Sequence, residues 1–363
     1  MLFASPRARR FLGVAGSVAA FLTVVTNARA QTPVPADTAA PAADTAHDGA
    51  LHLTIHDVGL AIGNARHVDG IRLNYRDAGH YVVHGLNATV WTTYPHADGV
   101  VQGIAFGVPV TQARRIDGLG VGVGVGADDD FTGVALGAAG VGAGKSIRGI
   151  MVGGLGAGSG EDVKGIAIGG LGVGAGNNVR GIIVGGLGVG AGETLEGMSV
   201  GGIGVGAGQS LRGITIAGIG VGAGDNIVGI TFAGLGVGAG NRIRGLTVAG
   251  IGVGAGSSVE GITIAGIAAG APRVRGLVAS LMAGGQNVKG ALLAPAYVRI
   301  QRDGSLTGFS LSAFNQIKGT QHGLTLGVFN FARELHGVQI GLLNYAGNNH
   351  GIAKLLPFVN AHH

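Results

Sequence analysis

From residue 149 the chain alternates apolar and small residues in a block that returns every sixteen positions. The block is clearest as GITIAGIGVGAGDNIV, starting at Gly213, and its leading glycine stands at 149, 165, 181, 197, 213, 229, 245 and 261. Looser copies of 14 to 18 residues run through Gly70, Gly85, Gly103, Gly118 and Gly133 before the block. Others run through Gly276, Gly290, Gly308, Gly323, Gly337 and Gly351 after it. So short a period fits one coil of a β-solenoid or one strand and turn of a barrel, because helical repeats need about 33 residues or more.

Side chains alternate between the two faces of a strand, so each change of apolar phase predicts a corner. Ile214 and Ile216 share one phase, Ile219, Val221 and Ala223 take another, and Ile227 follows a further shift. Corners are therefore expected at Ala217-Gly218, Gly224-Asp225-Asn226 and Val228-Gly229. The predicted coil has a short face, a longer face and a brief third side, each turning its large residues inward. Outward positions are then Gly220, Gly222 and Gly224 on the longer strand and Thr215, Thr231, Thr247 and Thr263 on the shorter one. A side-chain-free glycine face suits self-association or docking on an extended partner. About twenty coils, stacked in parallel at about 4.8 Å, turn each inward position into a ladder of like residues.

An outer-membrane antiparallel β-barrel, pore-like, is the alternative, because the uncharged run of each unit has about the length of a spanning strand. Three features favour the solenoid. Phe232 is the only aromatic between residues 132 and 296, where a barrel needs aromatic girdles. Neither phase is polar. An apolar residue also sits in every turn (Ile147, Val163, Val179 and their successors), as a third inward side requires.

Five segments follow. Residues 1–30 read as a signal peptide: Arg7, Arg9 and Arg10, an apolar run from Phe11 to Val25, and the small-residue site Ala28-Arg29-Ala30. Residues 31–49 read as a disordered leader, 50–117 as irregular repeats with a cap, 118–290 as the regular repeats, and 291–363 as Asn- and aromatic-rich repeats with a second cap. Tyr75, Tyr81, Trp91, Tyr94 and Phe106 gather where the first cap is expected, and Phe309, Phe314, Phe329, Phe331, Tyr345 and Phe358 where the second is. Asn315, Asn330, Asn344 and Asn360 recur at the late coils and predict an internal amide ladder.

Composition narrows the class. Of 363 residues 76 are Gly and only 9 are Pro, which excludes collagen; 46% are hydrophobic, which argues against simple disorder. There is no Cys, hence no disulfide and no thiolate metal site. The net charge of +5 comes mostly from the signal segment, whose four basic residues removed from 24 leave 20 against 19 acidic. No nucleic-acid footprint is expected from so balanced a chain.

Little in the chain promises chemistry. Ala139 to Ser146, AGVGAGKS, matches a relaxed phosphate-loop pattern, but Lys145 and Ser146 fall in a coil-corner slot with no helix after them. Asp128-Asp129-Asp130 reads as a solvated acidic corner. All twelve histidines lie outside residues 97–321, and His322, His336 and His350 each precede a repeat glycine. Stacking at roughly 5 Å would let two of them share a zinc ion, although the slot is otherwise an exposed corner position. His52/His56 and His80/His84 share strand faces but lack a carboxylate or third ligand in the sequence nearby. No paired carboxylates or nucleophile–base pair emerges, so no catalytic residue and no cofactor is expected, and a solenoid carbohydrate-active enzyme is a remote alternative.

The C-terminal run GLTLGVFNFARELHGVQIGLLNYAGNN, closed by LLPFVNAHH, resembles bacterial cell-surface repeat proteins built from G-φ-x-φ-G-φ-φ-N units with a final L-P-φ-φ-N-A-H segment. The resemblance covers most of residues 60–363. It implies export to the cell surface, outer membrane or periplasm of a Gram-negative-type bacterium. The central units also resemble the β-roll coils of trimeric autotransporter heads, which implies adhesion, although the stalk-and-anchor arrangement of those proteins is not expected here. The expected function is a non-enzymatic surface or structural element, self-associating or bound to an envelope or extracellular polymer, with membrane association open. Mass spectrometry of exported protein should find Gln31 as the first residue; an intact Met1 in the exported fraction would refute the signal assignment.

Overall fold

The computed structural model describes residues 49–94 and 97–363. The expected signal segment and all of the leader except Gly49 lie outside the described residues. From Gly49 on, the chain is an all-β solenoid of about 17 stacked coils, with 77% of residues in strands. One regular coil contains the strand Ser210–Ala217, a two-residue corner, the strand Gly220–Ala223 and a second two-residue corner before Asn226–Ala233 begins the next. Between Ser146 and Ala265 every strand pairs in parallel with the one sixteen residues on, so Gly213 faces Gly229 and Val221 faces Val237. A transmembrane barrel is built from antiparallel neighbours. Parallel pairing at the repeat distance removes that alternative.

The ends account for the smaller number of coils than the period suggested. Ala50–Ile55 and Val58–Gly63 form an antiparallel hairpin at one end. At the other, Leu355–His362 turns back antiparallel on Phe329–Ala346. Each covers strand groups that an open stack leaves unpaired. The expected aromatic plugs are not what closes the ends. Tyr81 alone of the N-terminal group is buried, with the Arg72 guanidinium 4.3 Å from its ring centre, while Tyr75, Trp91, Tyr94 and Phe106 are exposed. Burial, reinforced by Asp77, pushes the Tyr81 phenol pKa upward. At the C-terminal end Tyr297, Phe314 and Phe329 stack along the coils at 5.6 and 5.1 Å, and Phe331 lies 5.0 Å from Tyr345.

The largest correction concerns which side chains face inward. Leu211, Thr215, Ala217, Val221, Ile227, Thr231 and Ala233 are all buried, and all have odd numbers. A sixteen-residue period with two-residue corners preserves parity around the coil. Ile214 and Ile216 therefore point outward, 40% and 37% exposed, while Thr215 is only 2% exposed. The expected phase shift before Ile219 does not occur, and Ile219 lies at an exposed corner. Strand lengths are also the reverse of the expectation, since the glycine-faced strand has 4 residues and the threonine-bearing strand 8. The physical reason is cross-section: in these coils one large row (Leu195, Leu211, Ile227, Ile243) lies opposite the Val row, and a second large side chain enters at Met151 and Ile183. Thr and Ala fill the remaining inward positions.

The third corner is a bend inside the strand rather than a break. Gly213 has φ 112° and Gly229 φ 126°, yet ladder pairing continues on both sides. A Cβ at Gly213 would collide with the carbonyl oxygen of Gly197, and the same collision recurs down the column. At Gly222, by contrast, a Cβ would meet nothing within 4 Å. Gly213→Ala should therefore cost about 3 kcal/mol or more, combining positive φ with a backbone clash. Gly222→Ala should be neutral, or stabilising by up to about 1 kcal/mol. Thermal unfolding followed by circular dichroism distinguishes them, and equal effects would refute the close-approach argument.

Candidate functional site

Because the small interior excludes them, the large apolar residues form three outward rows. One runs from Ile150 to Ile262 at sixteen-residue intervals, a second from Val152 to Ile264, and the third along the corner from Leu155 to Ile267. Parallel register places each residue over its counterpart in the next coil. No charged residue interrupts the rows across this block. They expose apolar area on the order of 1,500 Å², several times the largest patch of an ordinary monomer. Past the corner lies the four-residue strand, whose outward positions are Gly220, Gly222 and their equivalents. An apolar ridge and a side-chain-free strip thus lie side by side along the stack.

The opposite flank is a mostly polar row at the position before each repeat glycine, interrupted in the regular block by Val228. Arg148, Lys164, Arg180, Glu196 and Arg212 succeed one another there in register. Ion pairs run along the stack: Arg180 reaches Glu196 at 3.4 Å, and Arg244 donates to Glu260 at 2.8 and 3.0 Å. The Arg244 hydrogen bonds hold the Glu260 carboxyl below the usual carboxylate range. At the second corner Lys145 Nζ lies 2.8 Å from Asp129, and Ser146 donates to Asp130 at 2.8 Å. Hydrogen bonding between the first pair lowers the Asp129 pKa and raises that of Lys145. The phosphate-loop-like string is thus spent on coil-to-coil contacts with the acidic corner.

His322 and His336 are register partners whose rings stack at 5.0 Å, 13° from parallel. His350 does not join them; it precedes the short 3-10 turn Gly351–Lys354, and His362 instead lies edge-on to His336 at 6.0 Å. Of the three histidines, the register therefore brings His322 and His336 together and leaves His350 apart. His56 falls in the hairpin turn at φ 52°, not on a strand face with His52. His84 does have a carboxylate beside it, contrary to the expectation from sequence. Asp69, its partner on the preceding coil, lies 2.6 Å away, and His67 completes the group. The signal was available, since Asp69 precedes Gly70 as His84 precedes Gly85, but local spacing conceals a neighbour fifteen residues off.

The late asparagines are buried. Asn315 Nδ2 donates to Asn330 Oδ1 at 2.8 Å, and Asn330 Nδ2 to Asn344 Oδ1 at 2.7 Å. Asn360 sits on the returning strand and reaches this column through the backbone, donating to the Asn344 carbonyl at 3.2 Å. Comparisons with protein-family models, curated proteins and solved structures give no match to the chain.

Asn330→Ala removes the central link of the amide column, takes one hydrogen bond from Asn315 and leaves the buried Asn344 Oδ1 unpaired. A loss of about 2–4 kcal/mol is expected. Hydrogen exchange should accelerate at Asn315 and Asn344 while the coils around Gly213 stay protected, as nearest-neighbour coupling requires. Unchanged exchange would refute a cohesive role for the column.

Proposed function

We propose that this protein is an exported, non-enzymatic structural element of a bacterial cell envelope that associates with further copies of itself through its apolar and glycine faces. The observation that carries this reading is the continuous, charge-free outer ladder of large apolar residues, mostly Ile, Val and Leu, from Ile150 to Ile267. Stable association needs about 800 Å² per partner, and this ladder alone offers more. From Ile150 to Ile267 each coil repeats the same ridge at the same rise, so two copies match along this block once one coil is in register. The glycine strip lets a second backbone approach closely, as lipid has no need to. In the flanking row Glu196 and Glu260 are paired with the arginines one coil before them, which ties successive coils together beside the apolar ridge. Export and the envelope location rest on the N-terminal signal pattern and on the resemblance of the C-terminal repeats to bacterial surface-repeat proteins. Repetition along the faces would give adhesion to an extended polymer its avidity.

Sedimentation of the chain without its first thirty residues, in buffer lacking detergent, should give a stable oligomer at micromolar concentration. Placing Asp at Ile214, Ile216 and Ile230 together should weaken association at least about 100-fold, because carboxylates would be buried unpaired. Arg212→Ser, on the polar flank, should leave it intact. A wild-type monomer, or binding to lipid vesicles abolished by the same substitutions, would overturn the self-association reading.

A further inference from the structure

At the N-terminal end of the stack the polar row changes character. Where the regular coils carry paired Arg, Lys and Glu, the strands His67–Asn74 and His80–Thr89 carry Asp69 and His84 as direct register partners. His67 stands two residues before Asp69, on the same outward face. The ladder therefore brings two imidazoles and one carboxylate to a single spot on the surface. His84 Nδ1 lies 2.6 Å from Asp69 Oδ1, and His67 Nε2 lies 3.8 Å from the same oxygen. One ligating atom from each residue falls within 4.8 Å of the others.

These spacings suit one small cation. Bonds of about 2.0–2.2 Å to a tetrahedral ion place its ligand atoms about 3.3–3.6 Å apart, so on binding the 2.6 Å His84–Asp69 hydrogen bond would open and the 3.8 Å His67–Asp69 separation would close slightly. Ring orientation separates this cluster from the C-terminal column. The His67 and His84 rings meet edge to edge-on face, 87° apart with centres 5.5 Å apart, so their nitrogens can converge from different directions. His322 and His336 lie nearly parallel, and the group of three ligating residues forms only at His67, Asp69 and His84 among the described residues. All three side chains are roughly half exposed, which leaves entry open and room for solvent at a fourth position. Two imidazoles with a carboxylate favour zinc and neighbouring transition metals over magnesium or calcium, which take all-oxygen sets.

We propose that His67, Asp69 and His84 form a binding site for one divalent transition-metal ion, zinc or a chemically similar ion, with solvent as the fourth ligand. The backbone positions are fixed by parallel pairing through Gly70 and Gly85, so binding requires side-chain rotation but no rearrangement of the coil. An ion there would cross-link two successive coils beside the terminal hairpin, independently of any contact with another copy.

The test is calorimetric titration of the untagged, metal-stripped protein with zinc chloride, repeated with cobalt chloride to read the visible spectrum of the bound ion. The wild type should bind one equivalent that His67→Ala and His84→Ala each weaken at least about 30-fold. Asp69→Asn should weaken it less and alter the cobalt spectrum. The double variant His322→Ala/His336→Ala should keep that equivalent unchanged. Circular dichroism matching the wild type confirms that the surface variants fold. The proposal is overturned if zinc binding survives both His67→Ala and His84→Ala, or if the bound equivalent disappears with His322 and His336 instead.

Discussion

The structure depends on how closely one coil's backbone can rest on the next at the column of bent glycines. At Gly149, Gly165, Gly181 and their successors, φ lies between 107° and 127° across the regular block, and any Cβ would strike the carbonyl oxygen of the glycine one coil before. The column is thus a steric requirement repeated at every turn. It explains why sixteen residues close a coil without a third loop: the strand bends in place and keeps its hydrogen bonds. Elsewhere in the unit the demand relaxes, as at Gly222, where the space outside is open.

A coil closed this tightly encloses little volume, and that sets the distribution of side chains. From Leu195 to Val253 each turn buries one Leu or Ile from the long strand, one Val from the short strand, and small residues between them, while Met151 and Ile183 put a second large side chain inside earlier coils. Stability accumulates by stacking, each coil covering the next, rather than from a thick core. The large residues left over have no interior to enter. They form the outer ridge, and their alignment along the stack turns a packing limit into an extended surface suited to repetitive association.

Toward the C-terminus the interior becomes polar without losing its order. Asn315, Asn330 and Asn344 link by side-chain amides, and Gln339 donates to Gln321 at 3.1 Å. Such columns tolerate burial because each amide meets its counterpart at the coil spacing. The N-terminal end uses a different solution: buried Arg72 pairs with Asp77 and donates to Asn87 at 2.8 Å. Both ends then close with antiparallel strands that break the spiral.

The period, the parallel stacking register, the glycine column and the position of the amide column are all legible in the order of residues, because each is a constraint repeated at fixed intervals and visible as identity. The direction in which Ile214 and Ile216 face was decided only by the tertiary structure. Apolarity marks burial only where there is volume to receive it, and coil closure had already assigned the interior to Leu211, Thr215 and Ala217. The same holds for His67, Asp69 and His84, whose meeting depends on a register between coils of unequal length. Nor does repetition encode the antiparallel strands at the two ends, since the pattern describes how the stack continues and is silent on how its exposed edges are covered.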